Sequence, residues 1–216
     1  MSRPRLIRLC ILPLLLSSLV AGCGPLVNLS PKDKLLTYYN LTPAESFDGH
    51  AAALPIILLV EQPVSPGDLD SARIALKPSA LEVKYYGKAK WADRAPRMLQ
   101  NLLVTSFENS GLIKSAGTEA MGIPADFRLK STIRDFQADY PAPNAPPVVH
   151  VTLSFKLVRK LPSMTVSSKV ISASAQAARD KLPDIMRAFD QATREVLEET
   201  VKWTLEEAAK NTTPSP

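Results

Sequence analysis

The chain has little of what catalytic and disulfide-built proteins depend on. Its 216 residues include only two cysteines, two histidines and eight glycines. Cys10 lies inside an N-terminal apolar run and Cys23 stands just after it, so the body has no thiol pair and a disulfide framework is excluded. His50 and His150 are 100 positions apart. Two isolated histidines without thiols do not make a zinc site, and neither has a nucleophile beside it in sequence to serve as its base. The glycines fall singly, so no Gly-rich loop is available to cradle a phosphate. Glu198 and Glu199 sit in a helical pattern and read as surface charge. The expectation is a protein that is not an enzyme and that holds no cofactor and no metal.

Charge of one sign is also scarce. The formal charge is +5, but three of the 26 Lys and Arg fall in the first 22 residues, leaving 23 against 21 Asp and Glu, or +2. A near-balanced surface excludes the electrostatic case for nucleic acid, which needs a basic face or stripe. Beyond the N-terminus no apolar run approaches the ~20 residues needed to span a bilayer as a helix.

What is present begins at that N-terminus. Arg3, Arg5 and Arg8 precede an apolar stretch from Leu9 to Val20, and Leu19-Val20-Ala21-Gly22-Cys23 follows. Basic start, apolar run and small residues at the cut are a secretory signal. A cysteine directly after Ala21-Gly22 makes it a bacterial lipobox, in which Cys23 is acylated and becomes the new N-terminus. Two or three acyl chains hold a protein stably at a membrane, where one holds it marginally. Gly24 stands where an Asp is the usual signal for inner-membrane retention. The expected location is therefore the outer membrane of a Gram-negative bacterium, lipid-anchored and facing the periplasm. The expected organisation is a signal peptide over 1–22, lipidated Cys23 and a flexible tether over 23–36, one periplasmic domain over 37–210, and a disordered tail over 211–216.

Within the domain the patterns alternate between periods of two and of 3.6. Thr37 to Leu41 is a short aromatic strand. Pro55 to Val60 is apolar on both faces and reads as a central strand covered on both sides. Arg73 to Pro78 and Ala80 to Tyr86 form a hairpin. Asp93, Pro96 and the stripe through Met98, Leu99, Leu102 and Leu103 predict a helix capped by Asp93 and ended by Gly111. Leu112 to Ser115, Ala125 to Asp139, Val148 to Lys160 and Met164 to Ala173 are further strands, of which Val148 to Lys160 alternates most cleanly, with Val149, Val151, Leu153, Phe155 and Leu157 on its dry side. Four prolines between Tyr140 and Pro147 mark an exposed connection. Pro183 to Ala209 is a second amphipathic helix, apolar through Phe189, Val196 and Trp203. The class is α+β, an antiparallel sheet with both helices packed on one face. Tyr38, Tyr39, Tyr85, Tyr86, Trp91 and Trp203 either complete the core or line a groove for an acyl chain or a partner segment.

The order of these features carries a resemblance. The lipobox, Tyr38-Tyr39-Asn40-Leu41, the apolar strand ending in Pro63, Leu69-Asp70, Ile74-Ala75-Leu76-Lys77, Trp91-Ala92 before a helix, Ala125-Asp126-Phe127-Arg128-Leu129 with Asp135-Phe136, and a last helix bearing Trp203 together resemble the ABC-type transport auxiliary lipoproteins, a group that includes paraquat-inducible protein C-like partners. The resemblance implies a non-catalytic subunit that docks a periplasmic mammalian-cell-entry (MCE) domain protein working with an inner-membrane ABC transporter or permease. Phospholipid is the cargo such systems move, and a homo-oligomer fits the same setting. The other reading is an outer-membrane scaffold lipoprotein without a lipid substrate.

Overall fold

A computed structural model describes residues 36–45, 47, 53–122, 124–142 and 145–212. Eight strands and two long helices follow in the order β1 (Thr37–Tyr39), β2 (Leu54–Val60), β3 (Arg73–Ser79), β4 (Glu82–Trp91), α1 (Ala95–Ser110), β5 (Ile113–Gly117), β6 (Phe127–Asp139), β7 (Val148–Arg159), β8 (Met164–Gln176) and α2 (Leu182–Asn211), with one 3₁₀ turn at Glu119–Met121. The α+β class holds, and both helices share one core with the inward side of the sheet. The lipobox with Cys23, the tether up to residue 35 and His50 lie outside the described residues, as do residues 213–216.

The long strand β6 organises the sheet. One of its edges pairs antiparallel with β7 along its whole length, from Phe127↔Arg159 to Asp139↔Val148. The other edge is shared: β2 runs parallel to its first residues (Leu58↔Phe127) and β3 runs parallel to its last (Ala75↔Gln137). Between them a bridge from Val64 to Thr132 keeps the connecting chain on the same edge. The sheet is therefore mixed where a purely antiparallel one was expected. Two strands laid end to end along one partner, with the chain advancing from the first to the second, must share a direction, and here that direction is parallel. The antiparallel expectation holds for β3 with β4, β6 with β7, and β7 with β8.

Local chemistry explains most element ends. β2 is flanked by β5 and β6, and Leu58, Leu59 and Val60 are all buried, as an all-apolar strand requires. Gly111 closes α1 in the left-handed region, at φ 63°, where a side chain is strained. Asp93 does not cap α1. The capping position is Arg94, without a side-chain bond, and the Asp93 carboxylate accepts the Arg94 amide at 2.7 Å, one residue too early. The Ala95 amide is met instead by the Ser71 carbonyl. α2 continues past Ala209 to Asn211, whose side-chain amide donates to the Glu207 carbonyl.

The core is centred on aromatics gathered from distant elements. Trp91 of β4 packs against Phe136 of β6 and Phe189 of α2, with ring centroids 5.3 and 5.1 Å away, and Phe155 of β7 meets Trp203 of α2. Such pairs add about 0.5–1.5 kcal/mol beyond the area they bury.

Candidate functional surface

Because both helices lie on one side of the sheet, the other side of β6, β7 and β8 is left uncovered by the described residues. Alternation puts Arg128, Lys130, Thr132 and Arg134 of β6 outward, with Thr152, Ser154 and Lys156 of β7 and Ser168, Val170, Ser172 and Ser174 of β8. Hydroxyls dominate, and Thr152 and Ser172 hydrogen-bond across the strands at 2.9 Å. The charged end of the face is basic. Register sets Lys130 directly opposite Lys156, an arrangement that costs free energy in an isolated sheet. Glu61 stands beside them, 3.4 Å from Lys130 and 3.8 Å from Arg128, one carboxylate serving two cations. Electrostatically the patch suits an acidic surface.

A second polar group lies where α2 begins. Asp184, 3% exposed, accepts from Arg179 Nε at 2.7 Å and from Arg187. The hydrogen bond from Arg179 holds its carboxyl below the usual range, with the charges of both arginines acting the same way against burial. Nearby, Tyr140 donates to Asp180 at 2.8 Å, and its oxygen lies 3.0 Å from that of Tyr86. With the Tyr140 proton committed to Asp180, Tyr86 is the donor in that pair. Burial first, and then the Tyr140 hydroxyl, pushes the Tyr86 phenol far above its ordinary value. The tyrosine pair ties the segment before α2 to the sheet through Asp180, and the Asp184 group clamps that segment to the first turns of α2. Sequence reasoning pointed to neither: Asp184 and Arg187 show the i, i+3 spacing of a helical pair, but nothing local marks Tyr140 as the partner of Tyr86.

The six aromatic candidates separate in space. Trp91 and Trp203 are in the core, 1% and 6% exposed. Tyr86 is engaged with Tyr140. Tyr85 donates to the Asp68 carbonyl and lies under the Arg73 guanidinium, 3.8 Å from its centroid. Tyr39 is half-buried in β1 against the core, and Tyr38 is 62% exposed. His150 is half-exposed, 3.9 Å from the Asp139 carboxylate. Among the described residues no group of three or more His, Cys, Asp or Glu could hold a metal ion, and no helix is long and apolar enough to cross a membrane.

These observations define a helix-backed α+β domain with one sheet face uncovered among the described residues. The chain belongs to the family of ABC-type transport auxiliary lipoprotein components, whose pattern matches residues 39–201. It is similar to protein XCC0632 from Xanthomonas campestris, at 28% identity and a TM-score of 0.75, over 81% of this chain and 98% of that one. A crystal structure of an uncharacterized protein shares the fold at 16% identity and a TM-score of 0.60, over 78% of this chain and 98% of that chain. The uncharacterized protein bll6063 of Bradyrhizobium diazoefficiens is 25% identical over 191 residues, which are 88% of this chain and 50% of that relative. The chain thus spans about half the length of this curated relative. The family assigns the chain to ABC-type transport as an auxiliary lipoprotein component.

Proposed function

We propose that the protein is a non-catalytic auxiliary subunit, held by acyl chains on Cys23 at the outer membrane, that docks the periplasmic MCE assembly of an ABC-type lipid transport system. The observation that carries the docking role is the bare face of β6 to β8. Lys130 stands opposite Lys156 with Arg128 beside it, and the single Glu61 carboxylate is shared between Lys130 and Arg128, so this face keeps an excess of positive charge that an acidic partner surface complements on binding. The tether raises the local concentration of the domain along the membrane, so modest intrinsic affinity suffices. The domain supplies a surface and not a reaction.

The test is a pull-down of the mature chain, residues 24–216 without lipid, from detergent-solubilised envelope, with mass spectrometry of bound proteins and lipids. Recovery of an MCE protein by the unaltered chain, and its loss with Lys130→Glu and Lys156→Glu together, supports docking through this face. Recovery of outer-membrane assembly proteins alone, with no lipid, leaves the scaffold reading in its place.

A further inference from the structure

At the end of the sheet where β2 and β6 begin and β7 and α2 finish, the chain forms an open cleft of about 640 Å³, within the ~300–1,000 Å³ range of small-molecule sites. Much of its wall is apolar, from Pro55, Ile57, Pro124, Phe127 and Leu161. Leu161 is 81% exposed, an isobutyl group left in water at the mouth of a concave surface. Arg159 stands within this wall. Its Nη1 donates to the Asn211 carbonyl at the end of α2, and its Nη2 has only the Met164 sulfur, a weak acceptor. Its Nε is shielded from solvent and meets no acceptor among the described residues, so the Nη groups are the ones left to meet a ligand. Lys160 also lines the cleft. Among the described lining residues the one carboxylate, Asp126, already accepts the Ile57 amide at 2.7 Å. The cleft therefore combines an apolar wall with a net positive charge and a guanidinium whose Nη2 meets only a weak acceptor.

We infer that this cleft binds an anionic amphiphile, an acyl chain headed by a phosphate or a carboxylate. The head meets Arg159 and Lys160, and the chain lies along Ile57, Pro124 and Leu161. The inference deepens the transport reading, and rests on it for the idea that an auxiliary subunit handles the cargo itself, but its test is independent of docking. Opposite charge and apolar contact act together here: a bare anion lacks the contact, and a neutral chain leaves the guanidinium unmatched.

The experiment is calorimetric titration of the mature chain with dodecyl phosphate and with laurate, beside dodecanol and inorganic phosphate as partial ligands. Expected is saturable binding of at least one amphiphile, weakened about tenfold or more by Arg159→Gln and by Leu161→Ser, with both partial ligands failing at the same concentrations. A ten-fold change corresponds to about 1.4 kcal/mol. Comparing the two amphiphiles identifies the headgroup. Leu161 has no core contacts to lose, so its variant remains informative if Arg159→Gln disturbs the end of α2. Dodecanol binding as tightly as dodecyl phosphate, phosphate binding alone, indifference to Leu161→Ser, or no binding at all each overturns the inference. Amphiphile binding with no recovery of an MCE protein sinks the docking role alone; recovery of the MCE protein without amphiphile binding sinks this inference alone.

Discussion

Asp184 is the charged residue among the buried polar ones of the described chain, and its chemistry sets a pH dependence. Its carboxyl is held below the ordinary range chiefly by Arg179, so the folded state binds its proton less readily than the unfolded chain does. Its contribution is complete above the unfolded carboxylate value and is lost as pH falls through the lowered folded value. Asp184→Asn is expected to lower the melting temperature at neutral pH by a few degrees and to flatten the acid limb of the stability profile, measured by thermal unfolding across acidic buffers. Tyr86 gives the opposite sign. Its phenol is raised, so the fold favours the protonated form, and stability in place below pH ~10 is lost as pH rises beyond the ordinary tyrosine value. Tyr86→Phe removes that alkaline loss and one hydrogen bond of about 0.5–1.5 kcal/mol, while Tyr140 keeps Asp180 as acceptor. Alkaline unfolding followed with phenolate absorbance checks both effects.

At the scale of elements, the sheet shows what a linear pattern carries and what it omits. Burial alternates with period two in β6 and β7, and both strands were legible because one side of each faces the core. β2 was legible for the converse reason, being apolar on both sides. Strand direction was not. Alternation is the same whether a neighbour runs parallel or antiparallel, so the parallel pairing of β2 and β3 with β6 left no local trace. The Asp93 cap failed for a similar reason: the residue type was right, but Pro96 and the tertiary contact at Ser71 shifted the start of α1 by one position. The same blindness hid the candidate surface. Lys130 and Lys156 are unremarkable in sequence, and only register sets them face to face. Relieving that pair makes a prediction with two opposed readouts. Lys156→Glu converts a like-charge pair to an attractive one and is expected to stabilise the free domain by about 0.2–1 kcal/mol in urea unfolding. The same substitution is expected to weaken recovery of the MCE protein. A surface charge with no partner would change the first measurement and leave the second untouched.

The whole molecule is read as a domain with its own core and a proposed anchor that lies outside the described residues. The domain holds itself together by apolar burial around Trp91, Phe136 and Phe189. The proposed anchor rests on Leu19-Val20-Ala21-Gly22-Cys23, where acylation would require the Cys23 thiol. Cys23→Ser removes the acyl acceptor and leaves residues 37–212 unaltered. A signal peptide that depends on that modification for cleavage is then retained, or the chain is released unlipidated. Two consequences separate the lipoprotein from an ordinary secreted chain. Metabolic labelling with an alkyne fatty acid marks the unaltered protein and fails to mark Cys23→Ser. When the two membranes of the envelope are separated by density, the unaltered chain is expected to follow the outer membrane, because Gly24 offers no retention signal, and Gly24→Asp is expected to redirect it to the inner membrane. Equal labelling of both chains would remove the anchor. Normal labelling with inner-membrane fractionation of the unaltered chain would keep the anchor and reverse the geometry of docking, with the domain reaching the MCE assembly from the transporter side.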